Sequence, residues 1–266
     1  MTAEMNVCIF CRIPRKLSKE DAVPKWIGRF FARNAGPGSI VTHTYERGGR
    51  KRTWKSGRIS ILVRRPCIVC NTGWMSRLET WAKPVLLPMI RGQETTLSRR
   101  DQFIVGRWSA KTAAMWRCND PEWQPAQEEL DWIMTKPIAP PNHIMWLGRY
   151  AGDQISGAYF AHHDLELPQL AQGGKSGADT SVFWFGRVVF VTIQFGRLDV
   201  GTVVEAPTAF SDYLIQAWPP LDVSNEQAPL AWPPGLGLGD VDLETIARGF
   251  SNGLFGSHTV IEPPLE

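Results

Sequence analysis

Cys8-Ile9-Phe10-Cys11 and, far downstream, Cys67-Ile68-Val69-Cys70-Asn71-Thr72-Gly73-Trp74-Met75 decide how this chain folds. Each C-x-x-C knuckle turns two thiolates toward one point, and two knuckles in one segment supply the four soft ligands of a tetrahedral zinc site. Four protein ligands close the coordination shell, so the expected Zn2+ at Cys8, Cys11, Cys67 and Cys70 is structural. The stretch between Cys11 and Cys67 is longer than a compact zinc ribbon allows, and function is sought there. A redox role for either knuckle would need a thioredoxin-like βαβ context, which the flanking residues lack. The fifth cysteine, Cys118, follows the apolar run Ala113-Ala114-Met115-Trp116 and is expected to be a buried free thiol.

Charge is the second signal. The net charge of +3 over 266 residues hides a split. Residues 1–100 hold 20 Lys and Arg against 6 Asp and Glu, a net of +14, and residues 101–266 hold 9 against 20, a net of −11. A polyanion partner, DNA in the first instance, is expected for the first part and a protein partner for the acidic second part. The alternative is a basic domain docked on an acidic one. Arg47, Arg50, Lys51, Arg52, Lys55, Arg58, Arg64 and Arg65 are the densest cationic stretch, with Tyr45 and Trp54 interleaved, and are the candidate nucleic-acid contacts. Met1 to Val7 has no basic start leading into an apolar run, and no apolar run approaches the ~20 residues that span a bilayer. A cytoplasmic protein with no membrane partner is therefore expected.

Around these signals the elements read as follows. Pro24 opens a helix through Trp26, Ile27, Phe30 and Phe31, and Ala35-Gly36-Pro37-Gly38 stops it. Ser39 to Tyr45 and Thr53 to Val63 read as strands about the turn Arg47-Gly48-Gly49-Arg50. The second knuckle opens a helix with Asn71 as its N-cap, ended by Pro84 and Pro88. Arg91 to Leu97 is read as a linker. Ser98-Arg99-Arg100-Asp101 is a capping-box start for a helix carrying Ile104, Trp108 and Met115 on one face. A short helix over Gln127 to Lys136 follows. His143 to Tyr150, Ile155 to His162, Thr180 to Phe185, Arg187 to Phe195 and Asp212 to Ala217 read as strands, and Val241 to Phe250 as a last helix. The expected architecture is α+β, with a basic zinc-binding domain over residues 1–95. An acidic domain over 96–266 follows, an antiparallel sheet with helices on one face.

Glu20-Asp21-Ala22-Val23-Pro24, after the first knuckle, and Cys67-x-x-Cys70-Asn71 resemble the HNH endonuclease family in order, spacing and residue type. The likeness is to the subgroup whose ββα-metal core is braced by paired C-x-x-C motifs. Leu17-Ser18-Lys19-Glu20, Pro24-Lys25-Trp26 and Cys70-Asn71-x-Gly73-Trp74-Met75-Ser76-x-Leu78-Glu79 resemble bacterial and phage proteins labelled HNH endonucleases, as does Arg107-Trp108-x-x-Lys111-Thr112 further on. This resemblance covers residues 5–85 and implies hydrolysis of a DNA phosphodiester with one divalent ion, Mg2+ or Mn2+. It implies that Glu20 is the acidic metal-binding residue and that Asn71 orients the base. Asp21 stands where the family has its general-base His, and its ordinary pKa of about 3.9 makes it the weaker base near neutrality. Ser76 or Glu79 would have to replace the second metal-binding His or Asn. The alternative is a non-catalytic, zinc-stabilised DNA- or RNA-binding or adaptor protein. No P-loop, nucleophile elbow or dinucleotide fingerprint is present, and Gly235-Leu236-Gly237-Leu238-Gly239 reads as a loop.

Overall fold

The computed structural model describes residues 7–34, 41–47, 50–56, 62–63, 65–118, 124–166, 175–196, 207–220 and 229–249. The elements before the second knuckle are β1 (Glu20–Asp21), α1 (Lys25–Asn34), β2 (Val41–Arg47), β3 (Arg50–Ser56) and β4 (Leu62–Val63). The knuckle opens α2 (Ile68–Cys70), which passes through a wide turn at Asn71–Met75, kinked at Gly73, into α3 (Ser76–Ile90). The helix does not end at Pro84 or Pro88 as expected from sequence. Each proline removes one N–H, but Leu78, Ala82, Leu86, Met89 and Ile90 are buried on one face, and this packing carries the helix through both.

The rest comprises β5 (Thr95–Leu97), α4 (Arg99–Arg117), α5 (Gln127–Thr135), β6 (His143–Tyr150), β7 (Ser156–Glu166), β8 (Lys175–Phe185), β9 (Val188–Phe195), β10 (Leu214–Trp218), β11 (Leu230–Trp232), β12 (Gly237–Leu238) and α6 (Asp240–Ala247). The capping box opens α4 as its sequence predicts: Ser98 Oγ accepts from Asp101 N at 3.2 Å, and Asp101 accepts from Ser98 N at 3.0 Å. The linker expected at 91–97 contains β5, which pairs antiparallel with β11.

The main sheet runs β10-β6-β9-β8-β7-β2-β3, with β12 beside β6. Its core is the antiparallel meander β7-β8-β9, with β6 returning to pair antiparallel with β9. The basic hairpin β2–β3 extends it, because β2 pairs parallel with β7, Arg47 standing opposite His162. Segment 1–95 thus contributes its hairpin to the sheet built by 96–266.

Both faces of the sheet are covered, not one. Met145, Leu147, Ala158, Phe160, Phe183 and Phe190 pack with α4, while Ile144, Trp146, Val182, Trp184, Val189 and Val191 pack with Leu243 and Ile246 of α6. Alternate residues therefore enter different cores, and β9 is buried along its whole length. Trp108 centres the α4 side, with ring centroids 5.3 to 6.5 Å from Phe190, Phe185 and Phe183. Gly186, at φ +56°, turns β8 into β9, and a Cβ there would meet Ile90 O at 2.3 Å.

His143, fully buried on β6, carries a Nδ1 lying 3.1 Å from Gln194 Oε1 and a Nε2 3.0 Å from Ser109 Oγ. Nδ1–H can donate to Gln194 from a neutral ring, whose Nε2 faces the Ser109 hydroxyl, itself 2.8 Å from Gly106 O. Burial pushes its pKa down to about 3, so the unfolded chain takes this proton near its ordinary pKa of about 6.5 and the folded chain does not. The group's contribution is complete above about pH 6.5 and is lost as pH falls toward 3, at about 1.4 kcal/mol per pH unit. Denaturant melts at pH 7.5 and 5 should show about 2 kcal/mol more acid destabilisation in the wild type than in His143→Gln. Equal losses would contradict a buried neutral imidazole.

Candidate metal centre and its surroundings

The first knuckle is a tight reversal. Arg12 adopts φ 55° and its N–H donates to Cys8 O at 3.0 Å, while Val7 bridges to Pro14. The chain then runs alongside the second knuckle. Ile9 N donates to Arg65 O at 3.3 Å, Ser18 N to Pro66 O at 2.9 Å and Ile68 N to Lys16 O at 3.2 Å. The N-cap of the second knuckle's helix is Cys67, not Asn71 as its sequence suggests. Cys67 Sγ accepts from Cys70 N at 3.4 Å, and Asn71 lies one turn inside.

These turns bring the four Sγ atoms within 4.8 Å of one another. Cys8 to Cys70 and Cys11 to Cys67 are each 3.8 Å. A tetrahedron with metal–sulfur bonds of about 2.3 Å has edges of about 3.8 Å, which these two separations match, and the cluster as a whole is compact enough for one ion. Cys8, Cys67 and Cys70 are buried and all four are free thiols. Burial opposes ionisation of Cys67, but the Cys70 N–H and the neighbouring thiols outweigh it and bring the pKa to about 7. Burial, and then the charge of Cys8, push Cys70 up, and burial chiefly raises Cys11. Once one thiolate forms the others resist ionising beside it, and a cation relieves that repulsion. All four positions are taken by protein, so an ion here would brace the fold and leave no site for substrate.

The knuckles are fixed to the rest by packing and polar ties. Phe10 meets the Trp74 ring edge-on at 5.0 Å. Gln127 of α5 donates to Ile9 O at 3.0 Å, and Arg12 pairs with Asp131.

Glu20 and Asn71 come together: Asn71 Nδ2 donates to Glu20 Oε2 at 2.5 Å. Burial raises the Glu20 pKa, against the pull of Lys111, the Asn71 bond and Lys25. Asp21 is half-buried on β1, paired in register with Leu62. Glu79 is fully engaged. Its Oε1 accepts from Lys111 Nζ, and its Oε2 accepts from Trp26 Nε1 at 3.0 Å and Trp108 Nε1 at 2.9 Å. Lys111 is 2% exposed. Sequence reading singles out Trp26, Trp108 and Lys111 without their role; a lysine one turn after a core tryptophan on an apolar helix is the signal that could have found it. Among the described residues, the four cysteines are the one group of three or more His, Cys, Asp or Glu placed to share an ion; Glu20, Asp21 and Glu79 form no such group.

A second polar cluster lies at the far end of α4. Arg117, 2% exposed, pairs with Glu129 and, at 2.6 Å, with Asp179 Oδ2, while Asp179 Oδ1 lies 2.6 Å from His162 Nδ1. The two carboxylates outweigh burial and raise the Arg117 pKa, so it stays charged. Of the candidate nucleic-acid contacts, Arg65 is exposed and donates to Gln124 Oε1 at 3.1 Å. Arg58 and Arg64 lie outside the described residues, as do the side chains of Arg47, Arg50, Lys51, Arg52 and Lys55. Among the described residues no helix is long and apolar enough to cross a membrane.

Compared with known proteins, the chain matches no family model, no curated protein and no solved structure.

Breaking one partner of a buried ion pair leaves the other charge stranded at a cost of about 3–5 kcal/mol. Lys111→Met should destabilise by about 3 kcal/mol in denaturant melts, and Lys111→Met with Glu79→Gln by clearly less than the sum of the two single changes. Strict additivity would show that the pair is not coupled.

Proposed function

We propose that this chain is a zinc-braced, HNH-endonuclease-like nucleic-acid-binding protein that holds DNA on its basic hairpin without cutting it. The observation that carries this reading is the concentration of charge. The first 100 residues have a net charge of +14, and their hairpin β2–β3 forms one end of the main sheet. Phosphates along a backbone are met by such a strip through charge and counterion release, with no catalytic group required. The four-cysteine centre ties together the two knuckles that bracket this hairpin in sequence, and zinc is the ion its four-sulfur donor set suits.

The divalent ion that the HNH resemblance implies does not fit the described residues: Glu20 is hydrogen-bonded to Asn71, Glu79 to Lys111 and two tryptophans, and Glu20, Asp21 and Glu79 form no cluster that could share an ion. A second reading keeps hydrolysis of the DNA phosphodiester, with Asp21 as base. The juxtaposition of Glu20 and Asn71, residue types the family uses, favours it.

Affinity for duplex DNA should fall about a thousandfold between 50 and 200 mM salt if about six phosphates are neutralised. Replacing Arg50, Lys51 and Arg52 by Gln should flatten that slope. Binding that is absent or insensitive to salt would overturn the proposal. In a plasmid-nicking assay with Mg2+ or Mn2+, wild type and Asp21→His should both be silent. Wild-type nicking abolished by Asp21→Asn would establish the second reading instead.

A further inference from the structure

Among the described residues seven large apolar side chains are exposed, and six of them gather at two places. Val7, Ile13, Ile68 and Val69, exposed by 51, 44, 42 and 56%, surround the four cysteines. The Val7–Pro14 and Leu17–Cys67 bridges and the Ile68 N to Lys16 O bond hold their segments side by side. Arg12, Arg15, Lys16 and Arg65 rim this patch; all four are exposed, Arg12 paired with Asp131 and Arg65 with Gln124.

Leu236 and Val241, exposed by 47 and 78%, stand at the start of α6. Carboxylates crowd this corner. Asp240 accepts from Tyr150 OH at 2.6 Å, Asp242 accepts from Gly239 N at 2.8 Å, and Leu236 N donates to the backbone of Asp212 at 3.0 Å. Asp153 and Asp240 both act on Tyr150, and Glu244 and Asp240 on Tyr159. Arg149 and Arg248 lie nearby, Arg248 paired with Glu244 at 3.5 Å.

Exposed apolar residues scattered singly need no explanation, but apolar patches rimmed by charge of opposite sign form a complementary pair. They cannot meet within one molecule. The knuckles pack in the core on the α4 face of the sheet, and α6 packs in the core on the other. The geometry points to a second copy of this chain as the partner, the basic knuckle patch of one molecule seating on the acidic α6 corner of the next. Such a contact joins two different surfaces, so it is heterologous and repeats head to tail. Charged rims make it sensitive to salt.

Sedimentation of the metal-loaded full chain tests this. At about 100 μM protein and about 50 mM salt the wild type should self-associate, and about 500 mM salt should weaken that association at least tenfold. Ile13→Ser with Val69→Ser, and separately Leu236→Ser with Val241→Ser, should each be monomeric. All four are exposed side chains and none supplies a sulfur, though Ile13 and Val69 flank the cysteines, so retained metal content and melting temperature check each variant's fold. Mixed, the two variants should form a 1:1 complex, because each still carries one intact surface. A monomeric wild type, association that survives either double change, or variants that stay apart when mixed would each overturn the proposal. DNA binding by the hairpin is read separately and does not bear on it.

Discussion

Four sulfurs brought within bonding reach of one point are the constraint on which the N-terminal part of this structure depends. Cys11 and Cys67 are 56 residues apart in sequence, and the chain between them is strongly basic. Tying the two knuckles closes a long loop against its entropy, a cost that buried aliphatic surface alone meets poorly in so basic a segment. A structural zinc ion supplies on the order of 10 kcal/mol or more of local folding free energy, because the unfolded chain holds no preformed site. The knuckle backbones are shaped for it: N–H groups of Cys67 and Cys70 point at Sγ of Cys8 and Cys67 at 3.2 and 3.4 Å.

The second organising element is α4, buried around most of its circumference although it carries three cations inside the fold. Each cation reaches a different neighbour. Arg107 donates to the last carbonyls of α5, at Ile133 and Met134, where a helix end favours positive charge. Lys111 reaches Glu79 on α3, and Arg117 reaches Glu129 on α5 and Asp179 on β8. Desolvating these charges contributes little net stability. What they do is fix register, since a one-turn slip of α4 would strand all three. Glu79 sits at the meeting point, receiving Trp26 from α1, Trp108 and Lys111 from α4. A carboxylate so engaged joins the knuckle helix α3 to α1 and α4.

Much of this was legible in sequence, and what was not has physical reasons. The paired C-x-x-C motifs gave the four-cysteine cluster, and Ser98 with Asp101 gave the start of α4, because both signals are local and rest on fixed spacing. Apolar runs broken at turn residues such as Gly186 gave most strands of the main sheet, while the short β5, β11 and β12 were not read. The helix through Pro84 and Pro88 was hidden because tertiary packing outweighs two missing N–H groups. That both faces of the sheet are covered was hidden because β9, Val188–Phe195, buries even its two polar residues, Thr192 and Gln194, so polarity does not mark an outer side. The parallel pairing of β2 with β7 joins residues more than a hundred positions apart, and no local pattern announces it. At the candidate site, Glu20 and Asn71 were paired by resemblance, and the structure adds their hydrogen bond. Lys111 was visible only as a residue type in an apolar helix, its partner 32 positions away.

The most direct test is zinc-edge X-ray absorption on protein purified without chelator. About one zinc per chain, in a shell of four sulfurs at about 2.3 Å, is the expected result. Protein that carries no metal, or a metal whose shell includes nitrogen or oxygen, would contradict it.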